Sequence, residues 1–177
     1  MKESEWRPSA SREVLVERAR LLAKIRAFFA QRDTLEVDTP VLSQAAASEP
    51  GLQSFSLTQQ PTRRLITSPE YAMKRLLASG SGPIYRLGPA FRADEAGRWH
   101  NPEFCMLEWY RPGADYHGLM DEVEALVNAI ISNPPKRIDR QSVAEIFRQV
   151  VELDPHTASI TALKSAVAKR GWAPTST

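Results

Sequence analysis

A single cysteine, Cys105, excludes an internal disulfide framework, because a bridge needs two thiols. Histidine is nearly as scarce. His100, His117 and His156 are scattered, and with one cysteine they cannot assemble a zinc quartet. There is no strong excess of either charge: 23 Lys and Arg stand against 21 Asp and Glu, a formal net charge of +2. That balance lacks the basic excess of a dedicated nucleic-acid binder, so a tRNA or an acidic partner is permitted but not indicated. No apolar run reaches the roughly 18 to 20 residues of a membrane-spanning helix. The opening MKESEWRPSASRE is charged and has no signal-peptide core. Together these absences predict one domain-sized, unprocessed chain in a reducing cytoplasm, with no membrane partner.

What the chain does have is helical periodicity at both ends. From Ser11 to Arg32, Leu15, Ala19, Leu22, Ile25 and Phe29 recur every three or four residues, and Val14, Leu21 and Phe28 widen the stripe. Pro8 and the serines at 9 and 11 supply the start signal of this long amphipathic helix. After it, Glu36 to Leu42 reads as a short strand interrupted at Pro40. The stretch from Ser43 to Pro61, with its alanine run and Pro50-Gly51, reads as loop around one weak strand from Leu52 to Leu57. Leu65-Ile66-Thr67 is a further strand candidate. Ser68-Pro69-Glu70 then predicts a helix start, with Ser68 as the cap and Pro69 first in the helix, which stops at Gly80. Ile84 to Arg92 and Asn101 to Pro112 read as an antiparallel hairpin joined by a polar connection. Beyond Pro112 three helices are expected, around Leu119 to Ile130, after the capping box Ser142 to Glu145, and from Thr161 to Arg170. Asn133-Pro134-Pro135 is the one convincing break among them.

The chemistry concentrates in FRADEAGRWHNPEFCMLEWYRP, Phe91 to Pro112. Strand alternation places Phe104, Met106, Glu108 and Tyr110 on one face and Cys105, Leu107, Trp109 and Arg111 on the other. A lone buried carboxylate is costly, so Glu108 either lines a cleft that receives a cation or pairs with Arg86 or Arg111 on a solvated face. Periodicity alone favours the pairing. Arg92 ends the first strand beside a polar connection, where a guanidinium can grip a phosphate bidentately, although a single arginine there is more often surface charge. His100, Asn101 and Phe104 together offer donors, acceptors and a stacking ring suited to a purine.

As one string these residues resemble motif 2 of class II aminoacyl-tRNA synthetases, and HNPEF and MLE are similar to the lysine, aspartate and asparagine branch. The long helix with Glu36-Val37-Asp38-Thr39-Pro40 resembles motif 1. Ser68-Pro69-Glu70-Tyr71, with Met73-Lys74-Arg75-Leu76, resembles the substrate-binding segment between the motifs. Trp6-Arg7-Pro8-Ser9-Ala10-Ser11, set directly before motif 1, and Glu108-Trp109-Tyr110-Arg111-Pro112 resemble the elongation factor P lysine ligases, paralogues of lysyl-tRNA synthetase.

The resemblance implies an α+β fold, the class II synthetase catalytic fold with an antiparallel sheet flanked by helices, incomplete on its C-terminal side. Over residues 1–177 it sets motif 1 at about 11–42, motif 2 at about 84–112 and a helical region at 115–171. It implies activation of lysine or β-lysine as an adenylate with ATP and Mg²⁺, transfer to a lysine of elongation factor P, and a homodimer through motif 1. A lysine–tRNA ligase fragment, or a non-catalytic paralogue binding nucleotide or a partner protein, are the alternatives. By position it assigns Arg92 to the ATP α-phosphate, Ala93, Asp94, His100 and Asn101 to ATP, and Phe104 to adenine. Ser68, Pro69, Glu70, Glu108 and Tyr110 fall to the amino-acid substrate, and no metal ligand is assigned. Two departures stand out. Arg92-Ala93-Asp94 replaces the usual Arg-Asn-Glu, and nothing like motif 3 occurs before Thr177, so the expectation is half a site, in a fragment or in a truncated product of impaired activity.

Overall fold

The computed structural model describes residues 7–45, 48–49, 51–135 and 138–172. Trp6, Pro50 and part of the alanine run lie outside them. The chain divides into two compact units at Pro134/Pro135, within the Asn133-Pro134-Pro135 break.

The first unit begins with α1 (Arg12–Ala30), where the Ser11 hydroxyl accepts from the Val14 N–H at 3.4 Å and caps the helix. Two short strands follow, β1 (Leu35–Glu36) and β2 (Leu42–Ser43), then β3 (Arg64–Leu65) and α2 (Glu70–Ala78). The hairpin β4 (Ile84–Phe91) and β5 (Glu103–Tyr110) leads into α3 (Tyr116–Ile130).

The stretch from Glu36 to Leu42 is therefore not one interrupted strand. Its start pairs with β4, parallel, and its end pairs with β3, antiparallel, in a separate two-stranded sheet. Pro40, which has no N–H and disfavours helical geometry in its predecessor, sits at the parting. Leu52 to Leu57 forms no strand either; only an isolated bridge links Ser56 to Arg64. The principal sheet runs β1-β4-β5. The antiparallel expectation holds for the hairpin, while β1 makes the sheet mixed.

Register decides which side of this sheet becomes core. Tyr85 stands opposite Trp109 and Leu87 opposite Leu107, and these four pack toward α1 and α3 with Ile25, Phe28, Phe29 and Leu126. Phe29 is fully buried, stacked on Tyr85 at 4.4 Å between ring centres and tilted against Trp109 at 5.6 Å. Only the C-terminal half of α1 is used this way. Val14 and Leu15, on the same predicted stripe, remain exposed. Phe29→Ala should cost about 3–5 kcal/mol, read by denaturant unfolding, because three aromatic rings lose their common neighbour.

The strand ends are tied by charge. Arg111 Nε donates to both oxygens of Glu122 on α3, at 2.9 and 3.0 Å, and Trp109 Nε1 donates to the same carboxylate at 2.9 Å. Burial alone would raise the Glu122 carboxyl, but the hydrogen bonds and charge of Arg111, helped by Trp109, hold it below its ordinary 4.5. A depressed carboxyl contributes stability that is present above its unfolded value and lost as pH falls through its folded one. Glu122→Gln should therefore flatten the loss of stability as pH falls below the ordinary carboxyl value of 4.5, and thermal melts taken on the acid side would show it.

The second unit contains α4 (Val143–Val151) and α5 (Ile160–Lys169). The capping box is complete: the Ser142 hydroxyl accepts from the Glu145 N–H at 3.2 Å, and the Glu145 carboxylate accepts from the Ser142 N–H at 2.7 Å. No described helix in either unit is long and apolar enough to cross a membrane.

Candidate active site

Because the core claims the Tyr85 and Trp109 side of the hairpin, the opposite side is left to Arg86, Gly88, Met106 and Glu108. Met106 and Glu108 floor a cavity of about 970 Å³, walled by α2 and by the segment leading into β2. Its volume falls in the range of small-molecule sites, about 300–1,000 Å³. Ser68, Pro69, Glu70, Arg92 and Glu108 all line it, so five of the residues named from sequence meet in one place.

Glu108 is held by two donors. The Ser68 hydroxyl donates to one carboxylate oxygen at 2.7 Å, and the Tyr110 phenol donates to the other, also at 2.7 Å. Arg111 has gone to Glu122, and Arg86 bonds the Pro89 carbonyl at 3.2 Å. The pairing that periodicity favoured thus gives way to the cleft reading. Burial, the hydrogen bond to Glu108 and the charges of Glu108 and Glu70 all push the Tyr110 phenol well above its ordinary value. It stays protonated and keeps donating. The result is a carboxylate whose orientation is fixed and whose charge remains available to the cavity.

Glu70 opens α2. The helix begins there with Pro69 in the cap position, one residue later than the sequence reading placed it. Ser68 still serves, since its hydroxyl accepts from the Glu70 N–H at 3.1 Å while donating to Glu108. Glu70 itself is paired with Lys74 one turn on, and that pairing raises the Lys74 ammonium above its ordinary value.

Arg92 stands where β4 leaves the sheet. Its Nε donates to the Thr67 carbonyl at 3.4 Å and one terminal nitrogen donates to Glu95 at 3.0 Å, with the guanidinium carbon 5.2 Å from the Phe104 ring centre. The side chain is a quarter exposed, held in place yet open to a ligand. Backbone bonds from Arg92 to Pro102 and from Ala93 to Gln53, each 2.8 Å, fix where the loop departs.

The remaining sequence candidates lie outside the cavity wall. Ala93 is half-buried, whereas Asp94, His100 and Asn101 are exposed on the connection between β4 and β5. Phe104 borders the site through Arg92, and Tyr110 through Glu108. Sequence reasoning missed Glu95 as the partner that orients Arg92; the signal available was an i,i+3 charge pair across a turn. It missed Arg63 in the wall, which reads locally as surface charge, and it quoted Asp38 and Arg75 in motif strings without giving either a role.

Among the described residues no group of three or more His, Cys, Asp or Glu side chains is placed to hold a metal ion. Mg²⁺ is commonly held by one or two carboxylates plus substrate phosphates, so a nucleotide-borne ion needs no such cage.

Comparison with known proteins supplies the family. The family profile described as tRNA synthetases class II (D, K and N) matches residues 4–166. The chain is 46% identical to the elongation factor P--(R)-beta-lysine ligase of Vibrio vulnificus (strain YJ016), over 96% of this chain and 54% of that protein. It is 47% identical to the ligase of the same name from Yersinia enterocolitica, over 93% and 52%, and 45% to that of Haemophilus influenzae (strain PittGG), over 94% and 53%. The chain spans about half the length of these curated relatives. A profile matched along most of the sequence, together with relatives 45–47% identical over more than nine-tenths of it, establishes that this chain belongs to the class II tRNA synthetase family of the D, K and N branch.

Proposed function

We propose that the complete protein is an ATP-dependent ligase that activates lysine or β-lysine as an adenylate and transfers it to a lysine of elongation factor P in the cytoplasm. The observation that carries this reading is the Glu108 carboxylate, oriented by Ser68 and Tyr110 and sharing one cavity with Glu70 and Arg92. Two carboxylates suit a substrate with two ammonium groups. Arg92 suits the phosphate end. In the reaction the substrate carboxylate oxygen attacks the α-phosphorus and pyrophosphate leaves. No protein nucleophile is needed, so positioning and charge stabilisation do the work. The names of the relatives support elongation factor P as acceptor over tRNA. Exposed Val14, Leu15 and Leu21 on α1 offer the apolar area that a second copy would cover in a homodimer.

The test is transfer of radiolabelled lysine and (R)-β-lysine by the complete protein to elongation factor P and, separately, to tRNA. Label on elongation factor P supports the reading. Label on tRNA alone would move the activity to aminoacylation, and label on neither would leave a nucleotide- or partner-binding paralogue.

A further inference from the structure

The substrate cavity carries two positive charges that neither the amino acid nor the α-phosphate uses. Arg63 and Arg75 line its wall, along with Glu70, Arg92 and Glu108. The cations beside them are answered: Arg64 donates to the Ser56 hydroxyl at 2.6 Å, Lys74 pairs with Glu70, and Arg92 bonds Glu95. Among the described residues no side chain pairs with Arg63 or Arg75, and Glu49, on the same wall, bonds neither. Arg75 falls in the last turn of α2, where the helix dipole favours a cation without neutralising it. A lone arginine on an open surface is solvated charge and calls for nothing more. Two on the wall of a concave site are convergent polar groups of the kind that recognise a ligand.

Both stand away from the chemistry. Arg75 is five residues beyond Glu70, about 8 Å along the axis of α2. Arg63 lies four residues before Thr67, whose carbonyl holds Arg92, and an extended chain covers roughly 13 Å in four residues. Arg75 is exposed and Arg63 half-buried, so this part of the cavity opens to solvent. In the transfer step the acceptor's lysine nitrogen bonds the adenylate carbonyl carbon, the carbonyl–phosphate bond breaks with AMP leaving, and the amine proton passes to solvent. That nitrogen reaches the inner end on a flexible four-carbon stem. The acceptor's own backbone, with the residues beside its lysine, is therefore left at the open end.

We propose that Arg63 and Arg75 form a docking subsite for the acceptor protein, recognising carboxylate side chains near its modified lysine. The inference rests on the ligase reading and adds to it the chemical character of the acceptor surface. A guanidinium fork grips a carboxylate bidentately, and two such forks at one opening favour an acidic approach over a basic one.

The test uses the complete protein and whichever of lysine and (R)-β-lysine the wild type transfers. In Arg63→Gln/Arg75→Gln the KM for elongation factor P should rise about threefold to tenfold, as for loss of two partly exposed charge pairs. Pyrophosphate exchange, and the KM values for amino acid and ATP, should stay within about twofold, the scatter of a surface change. Added salt should raise the wild-type KM for elongation factor P toward that of the variant, and Arg63→Lys/Arg75→Lys should restore part of the loss. Arg75→Gln alone, at an exposed position, should show a smaller change in the same direction, and it carries the test if the double variant does not fold. An unchanged KM for elongation factor P overturns the proposal. So does a loss that falls on the KM for ATP, which would assign both arginines to the phosphate tail. A wild-type protein that labels no elongation factor P overturns the ligase reading, and this inference with it.

Discussion

Arg92→Ala in the complete protein is expected to slow adenylate formation by about a hundredfold or more, the size of loss seen when a preorganised charge is removed from a developing oxyanion. The guanidinium is already positioned before any ligand arrives, by the Thr67 carbonyl on one side and Glu95 on the other. Little reorganisation remains to be done at the moment of reaction. Pyrophosphate exchange measures the step directly, and Arg92→Lys separates charge from geometry, because an ammonium cannot reproduce two parallel hydrogen bonds. Exchange by Arg92→Ala within a fewfold of wild type would remove this residue from the chemistry. Glu95→Gln should show a smaller loss of the same kind, since it loosens the guanidinium without deleting it.

The second large effect concerns substrate choice. Glu108→Gln should weaken activation of lysine-like substrates about tenfold to a hundredfold while leaving ATP binding near wild type, as expected for loss of one charge-assisted contact. The reasoning is local. Both carboxylate oxygens accept a hydrogen bond, from Ser68 and from Tyr110, and a glutamine can accept at only one end. Its amide nitrogen would meet a hydroxyl that must turn from donating to accepting. The negative charge proposed to meet a substrate ammonium is therefore lost, and the two hydroxyls that aim it must rearrange. Separate KM values for amino acid and nucleotide decide the matter, and equal losses in both would mean that Glu108 merely supports the sheet.

The hairpin and most helices were legible in the sequence because each rests on a local signal. Ser11, Ser142 and Glu145 cap their helices as their side-chain chemistry requires, and alternation along Phe104 to Arg111 sorts the two faces correctly. What was not legible depends on partners far away in the chain. Nothing near Leu35 or Leu42 says that one will join β4 and the other β3, and two-residue strands carry no periodicity of their own. Glu108 shows the same limit within the site. Its neighbours in sequence suggest Arg111, whereas the hydroxyl that turns it into the cavity comes from Ser68, 40 residues earlier. Five of the residues named from the motif strings meet in one cavity, and the geometry adds Glu95 and Arg63 around them, which single positions do not reveal.

The parallel pairing of β1 with β4 also bears on the order of folding. The Tyr85 phenol donates to Glu36 across a separation of 49 residues, and Arg26 on α1 bonds the same carboxylate. Closing a loop of that length costs conformational entropy that the short, local β4–β5 hairpin does not incur. The hairpin is accordingly expected to form first, with α1 and β1 docking on it afterwards and Glu36 closing the contact. An interaction made after the rate-limiting barrier alters how fast the native state opens and not how fast it forms. On that order, Glu36→Gln is expected to speed unfolding more than it slows folding, which the two arms of a denaturant chevron would read.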